Sequence, residues 1–109
     1  MKVNKTRFCP SPTGFLHLGN LRTSLFSLLM ARKSKGTFLL RIEDTDLERS
    51  KKEFSEAICA DLKWMGFEWD EGPEVGGKEK SYYQSQRLNL YEEFYDKLFE
   101  LDLIYPCFT

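Results

Sequence analysis

The chain has 109 residues, 41% hydrophobic and 30% charged, enough for one small domain or part of a larger one. Sixteen Lys and Arg against seventeen Asp and Glu give a formal net charge of −1, which excludes a surface built throughout to grip phosphate backbones but not a local basic face. No apolar run approaches the ~20 residues of a membrane span, Met1–Arg7 lacks the apolar stretch of a signal peptide, and the scattered Cys9, Cys59 and Cys107 point to reduced thiols in a cytoplasmic protein.

Lys2 to Cys9 reads as a short strand ending at Cys9-Pro10-Ser11-Pro12-Thr13-Gly14, where two prolines and a glycine fix a rigid loop. Leu21, Leu25, Leu28 and Leu29 recur at helical spacing, which predicts a helix from about Gly19 to Lys33. Arg32, Lys33 and Lys35 suit its C-terminal dipole, and Gly36 is expected to stop it. Thr37 to Ile42 is a strand by residue type, mostly apolar without clean alternation, as in a buried parallel sheet. Strand, helix, strand in about forty residues is a βαβ unit, and the crossover rule places the helix on one sheet face. Ser50-Lys51-Lys52-Glu53 matches a capping box. Phe54, Ala57, Ile58, Leu62 and Met65 follow on one stripe, and Gly66 closes that helix. Residues 71–78 read as a loop, and Leu88, Tyr91, Phe94, Tyr95, Leu98 and Leu101 mark a last amphipathic helix. The expected fold class is α/β, with parallel strands and covering helices. Leu101 to Thr109 is apolar and strand-like, and is read as a truncation.

In such a fold ligands bind beyond the carboxyl ends of the strands, next to helix N-termini. Two segments lie there, residues 10–20 and residues 43–46. His17-Leu18-Gly19-Asn20 opens a helix whose unpaired N–H groups and positive dipole end suit an anion such as a triphosphate. His17 can donate to a phosphate oxygen, and Gly19, without a Cβ, lets a flat ring lie against the backbone. Alone, this short pattern is that of an ordinary surface histidine. Its position after a strand and a Pro-x-Pro-x-Gly loop is what singles it out. Arg41-Ile42-Glu43-Asp44-Thr45-Asp46 sets three carboxylates at the end of the second strand. Alone they would be a solvated turn. In context, a carboxylate can bind an ammonium group and Arg7, on the neighbouring strand, can bind a carboxylate in bidentate fashion.

Arg7-Phe8-Cys9-Pro10-Ser11-Pro12-Thr13-Gly14-x-x-His17-x-Gly19 resembles the opening of bacterial-type glutamyl-tRNA synthetases, and His17-Leu18-Gly19-Asn20 resembles the "HIGH" signature of class I aminoacyl-tRNA synthetases. Asn20 replaces the signature's last histidine, a mild departure in the glutamate branch. Arg41–Asp46, Leu62–Pro73 ("LxWLGxxxDEGP") and Tyr83–Arg87 ("YxQSxR") resemble further stretches of that family in the same order, over nearly the whole chain. Trp64, Phe67 and Trp69 are nonetheless expected in the core.

The resemblance implies the first half of a Rossmann-like nucleotide-binding domain over residues 1–104, with 105–109 beginning an acceptor-binding insertion. It implies activation of L-glutamate with ATP and Mg2+, and transfer to the 3′ end of tRNA(Glu). By it His17, Gly19 and Asn20 are the catalytic signature. Pro12, Thr13 and Gly14 join them in holding ATP, while Arg7 and Ser11 take the substrate's side chain and Glu43 its α-amino group. Asp44, Thr45 and Asp46 are expected to brace the strand end or approach the tRNA acceptor end, and Arg41 to be a structural ion-pair partner. A monomer without a membrane partner is expected. The family's second signature, a "KMSKS"-type loop, is not in this sequence. Some members bind zinc through a Cys-x-Cys after a Tyr; here Thr109 follows Cys107, so zinc is not expected and Cys107 is read as a core thiol. A relative that glutamylates a modified tRNA base is the enzyme rival, but it tends to lack Arg22-Thr23, Thr45 and Gly76-Gly77, all present here. Glutaminyl-tRNA synthetases carry different loops, resembling "PEPNGxLHIGH" and "DDTN". A non-catalytic binding module is the rival from another class.

Overall fold

The computed structural model describes residues 4–109, and in it the largely apolar run Thr37-Phe38-Leu39-Leu40 pairs in parallel with Lys5-Thr6-Arg7-Phe8. Strand β1 (Lys5–Phe8) runs beside β2 (Thr37–Leu40) in a register that sets Lys5 against Thr37 and Phe8 against Leu40. Helix α1 (Leu18–Lys33) crosses between them and packs on both, so the expected βαβ unit forms. Lys2 and Val3 of the predicted strand lie outside the described residues. Beyond Leu40, the predicted end of β2 at Ile42 becomes a single parallel bridge to Tyr83. A second bridge joins Leu39 to Glu71, so β2 lies between β1 and the later chain.

Arg32 and Lys33 fill the last turn of α1, as the dipole favours. The helix ends at Lys33, as predicted, with Ser34 as its cap, and Lys35 takes the left-handed turn at φ 51°. Gly36 serves a different need. A Cβ there would overlap the carbonyl oxygen of Asn4, so the glycine lets the crossover run against β1.

Helix α2 spans Lys52–Trp64. The capping box predicted at Ser50 does not form: Lys51 is the cap residue, no side chain caps the helix, and Ser50 Oγ is buried without a partner. The entering backbone is instead tied down by the Lys51 N–H, which donates to Pro12 O at 3.1 Å. Gly66 closes the helix as expected, at φ 78°.

One apolar cluster joins Phe8, Phe38, Leu40 and Ile42 to Leu28 and Ala31 of α1, Ile58, Cys59 and Leu62 of α2, and Phe67 and Trp69. Trp64 was expected there and is 85% exposed. The buried stripe of α2 runs through Ser55, Ile58, Cys59 and Leu62. Two residues past Leu62, at about 100° per residue, Trp64 points away from it. Helix α3 (Leu88–Glu100) follows a 3-10 turn over Gln84–Arg87 and packs chiefly on that turn, with no residue buried. It forms as predicted but leaves the sheet to α1 and α2. Cys107, expected in the core, is exposed because the segment after α3 meets no apolar surface. Among the described residues no helix is long and apolar enough to cross a membrane.

Candidate functional site

Pro10 and Pro12 leave the loop after β1 few conformations, and its carbonyls do the rest. Pro10 O accepts from the Glu43 N–H at 2.9 Å and Pro12 O from the Lys51 N–H at 3.1 Å. The loop is therefore clamped between the end of β2 and the start of α2. Phe15 meets Phe54 edge to face at 5.0 Å, fixing its far side on α2.

His17 is the cap residue of α1, exposed and extended (φ −116°, ψ 171°). Its N–H donates to Asn20 Oδ1 at 3.1 Å, so the amide at the signature's fourth position ties the helix start. Gly19 lies against the histidine side chain: a Cβ there would come within 3.0 Å of the His17 ring, which is exposed and free to turn. The signature thus ties the backbone of its own histidine at a positive helix end.

Arg7, Ser11, Thr13, Gly14, His17 and Asn20 line one cavity of about 450 Å³, within the size range of small-ligand sites. Three other residues of the expected site stand apart from it. Pro12 is fully buried and supports the loop from behind. Gly19 lies beside the His17 ring. Glu43 is committed to an ion pair, its Oε1 accepting from Arg41 Nη2 at 2.6 Å. Arg41 is therefore an ion-pair partner, as its sequence reading had it, and its acid is Glu43. Sequence reasoning overlooked Thr23, which also lines the cavity and donates its hydroxyl to Gly19 O at 3.1 Å. The signal was available, since Thr23 lies one helical turn after Gly19.

The acidic run braces its strand end. Asp44 accepts from both the N–H and the hydroxyl of Ser85, at 2.9 and 2.7 Å, and so joins two motifs 41 residues apart. Asp46 accepts from Arg49 Nε at 2.6 Å, and that contact first of all holds its carboxyl below the ordinary value. Asp70 and Glu71 lock the next segment. Burial pushes the Asp70 carboxyl up, but the Phe38 N–H at 2.7 Å and Arg32 Nη1 at 2.8 Å outweigh it and leave it lowered. Glu71 accepts from Lys5 Nζ and from the Tyr82 hydroxyl, each at 2.9 Å, and the lysine is the main reason its carboxyl is lowered. Cys107 Sγ lies 3.2 Å from Thr109 Oγ1, a contact that lowers its thiol. Among the described residues no three of His, Cys, Asp and Glu converge as a metal site.

The family described as tRNA synthetases class I (E and Q), catalytic domain, matches residues 2–109. A glutamate–tRNA ligase of Sulfurihydrogenibium sp. (strain YO3AOP1) is 57% identical over 106 residues, covering 97% of this chain and 22% of that protein. A glutamate–tRNA ligase 1 of Fervidobacterium nodosum is 55% identical over 109 residues, covering 100% of the chain and 23% of that protein. Among solved structures, a glutamate tRNA ligase from Elizabethkingia meningosepticum, crystallised with its amino acid, superimposes with a TM-score of 0.87 at 41% identity, over 91% of this chain and 20% of that one. The chain spans about a fifth of the length of the relatives it matches.

Proposed function

The chain belongs to the class I tRNA synthetases for glutamate and glutamine, in their catalytic domain, and we propose from this that it serves the activation of L-glutamate with ATP and its transfer to the 3′ end of tRNA(Glu). Residues 1–104 are read as the first half of the nucleotide-binding domain and 105–109 as the start of an acceptor-binding insertion. The supporting observation is the cavity at the N-terminus of α1, which sets His17 and Asn20 beside Arg7 and Ser11.

The chemistry asks for a carboxylate attacking the α-phosphorus of ATP in line, with pyrophosphate leaving. Positioning and charge neutralisation supply most of such catalysis, and no general base is needed. His17 and the N–H groups at the start of α1 orient the phosphates, with Thr13 and Gly14 flanking them. Arg7 pairs with the side-chain carboxylate of glutamate and Ser11 adds a hydrogen bond. Glu43 holds the α-amino group, and Arg41, bonded to its Oε1, aims that carboxylate. Mg2+ would come with ATP, held through its phosphates, whose charge it would neutralise. The work is assigned to a cytoplasmic monomer.

Glutamate-dependent exchange of pyrophosphate into ATP, measured on the full-length product with and without tRNA, tests this reading. Exchange that requires tRNA is expected. Exchange without tRNA would shift the assignment to the relative that modifies a tRNA base, and none under either condition would overturn the glutamate assignment.

A further inference from the structure

The stretch Tyr83-Gln84-Ser85-Gln86-Arg87 has no task in the proposed reaction, yet the fold sets it against both neighbours of Glu43. Before Glu43, Ile42 donates its N–H to Tyr82 O at 2.8 Å and its carbonyl accepts from the Gln84 N–H at 2.9 Å. After Glu43, Asp44 accepts from the Ser85 N–H at 2.9 Å through one carboxylate oxygen and from the Ser85 hydroxyl at 2.7 Å through the other. Gln84 and Ser85 open the 3-10 turn, where N–H groups lack partners within the turn. The strand end supplies both acceptors.

The two ties differ in kind. The tie at Ile42 is backbone on backbone, and any residue but proline at position 84 would keep it. The tie at Asp44 depends on side chains. Among the described residues no strand ladder continues past the bridge of Ile42 to Tyr83, and Thr45 and Leu47 beyond it are exposed. A hydroxyl bonded to an ionised acceptor makes one of the stronger hydrogen bonds, and 2.7 Å is within its usual range. Glu43 sits between the two ties. Its own N–H is held by Pro10 O at 2.9 Å, and its carboxylate accepts from Arg41 at 2.6 Å. With Ile42 and Asp44 both fixed, the peptide planes on either side of Glu43 are fixed too, and so is the direction of its side chain. Release of Asp44 frees the plane that follows Glu43.

We propose, resting on the assignment of Glu43 to the α-amino group of glutamate, that Ser85 is a positioning residue for that site: it holds Asp44, and through it the strand end from which Glu43 reaches the substrate. Pyrophosphate exchange by the full-length product, with tRNA present, tests this through separate KM values for glutamate and ATP. Ser85→Ala is expected to raise the glutamate KM about three- to ten-fold, part of the worth of a charged hydrogen bond. It should leave kcat and the ATP KM within about two-fold. Ser85→Thr, which keeps the hydroxyl, should restore the glutamate KM. In an Asp44→Ala background Ser85→Ala should add less than about two-fold, because the same bond cannot be lost twice. Glu43→Gln is the control and should raise the glutamate KM by more than Ser85→Ala does. If Glu43→Gln raises it and Ser85→Ala does not, the role of Ser85 is overturned and the assignment of Glu43 stands. If Glu43→Gln leaves it unchanged, the assignment of Glu43 falls and the role of Ser85 with it. Equal rises in both KM values, failure of Ser85→Thr to rescue, or independent effects in the Asp44→Ala background would each reduce Ser85 to a structural staple and overturn the proposal.

Discussion

His17 caps α1 from an exposed position and enters no core contact, so its imidazole can be removed without touching the fold. His17→Ala is expected to lower glutamate-dependent pyrophosphate exchange by the full-length product about 10²-fold or more, with an unchanged thermal midpoint. Normal exchange in that variant would remove His17 from the reaction. Two glycines make a contrasting pair. Gly66 has open space around its absent Cβ but a left-handed φ of 78°, so Gly66→Ala is expected to cost only the backbone strain, about 1–2 kcal/mol. Gly36 lies against the Asn4 carbonyl, so Gly36→Ala has to push β1 aside and is expected to cost about 3 kcal/mol or more in urea unfolding. Equal costs would contradict the distinction. The thiols separate in the same way. Cys59 is buried and burial pushes its thiol up to about 11, whereas Cys107 is exposed and lowered by Thr109. Alkylation near neutral pH, mapped by mass spectrometry, should therefore mark Cys107 first and Cys59 only after unfolding, because the thiolate is the reactive form.

Between elements, part of the tie that holds the later chain to the sheet is electrostatic and depends on pH. Asp70 and Glu71 both have carboxyls lowered in the fold, so unfolding returns them to higher values and takes up protons. Their stabilisation is complete above the ordinary carboxylate range near about 4 and is lost as pH falls through their lowered values. The thermal midpoint should hold level from about pH 7 to about pH 5 and then fall, and Glu71→Gln should flatten that acid limb. An unchanged acid limb in the variant would show that Lys5 and Tyr82 contribute nothing through Glu71. This tie was not legible in the sequence, where Lys5 and Glu71 are 66 residues apart. The β1–α1–β2 unit was legible because it rests on local signals: two prolines, a leucine period and a β-rich run. The signature at His17 was legible for the same reason. What the sequence left hidden are partners brought together by the fold, such as Ser85 on Asp44, and rotations about a helix axis, which put Trp64 outside and Cys59 inside. Helix α3 shows the limit of periodicity, which foretells the helix but not what lies against its apolar side.

At the scale of the whole molecule, a net charge of −1 conceals a strongly uneven distribution. Lys5, Arg7, Arg41 and Arg87 gather round one cavity, while α1 presents its positive end to the cavity at His17. For ATP this gives orientation but little affinity. The triphosphate would meet one helix terminus and one imidazole across an open cavity, since Arg7 is assigned to the carboxylate of glutamate. Each exposed charge contact contributes about 1 kcal/mol or less, against the several kcal/mol that association costs in lost freedom. The isolated 109-residue chain is therefore expected to bind ATP with a dissociation constant of about 1 mM or weaker. Calorimetric titration measures this directly. A micromolar constant would mean that the first βαβ unit already carries a complete nucleotide site, and that the rest of a synthetase catalytic domain adds chemistry without adding grip. The weak binding expected would place the missing affinity in groups that close over the same cavity, and it would leave His17 to orient a nucleotide that other residues hold.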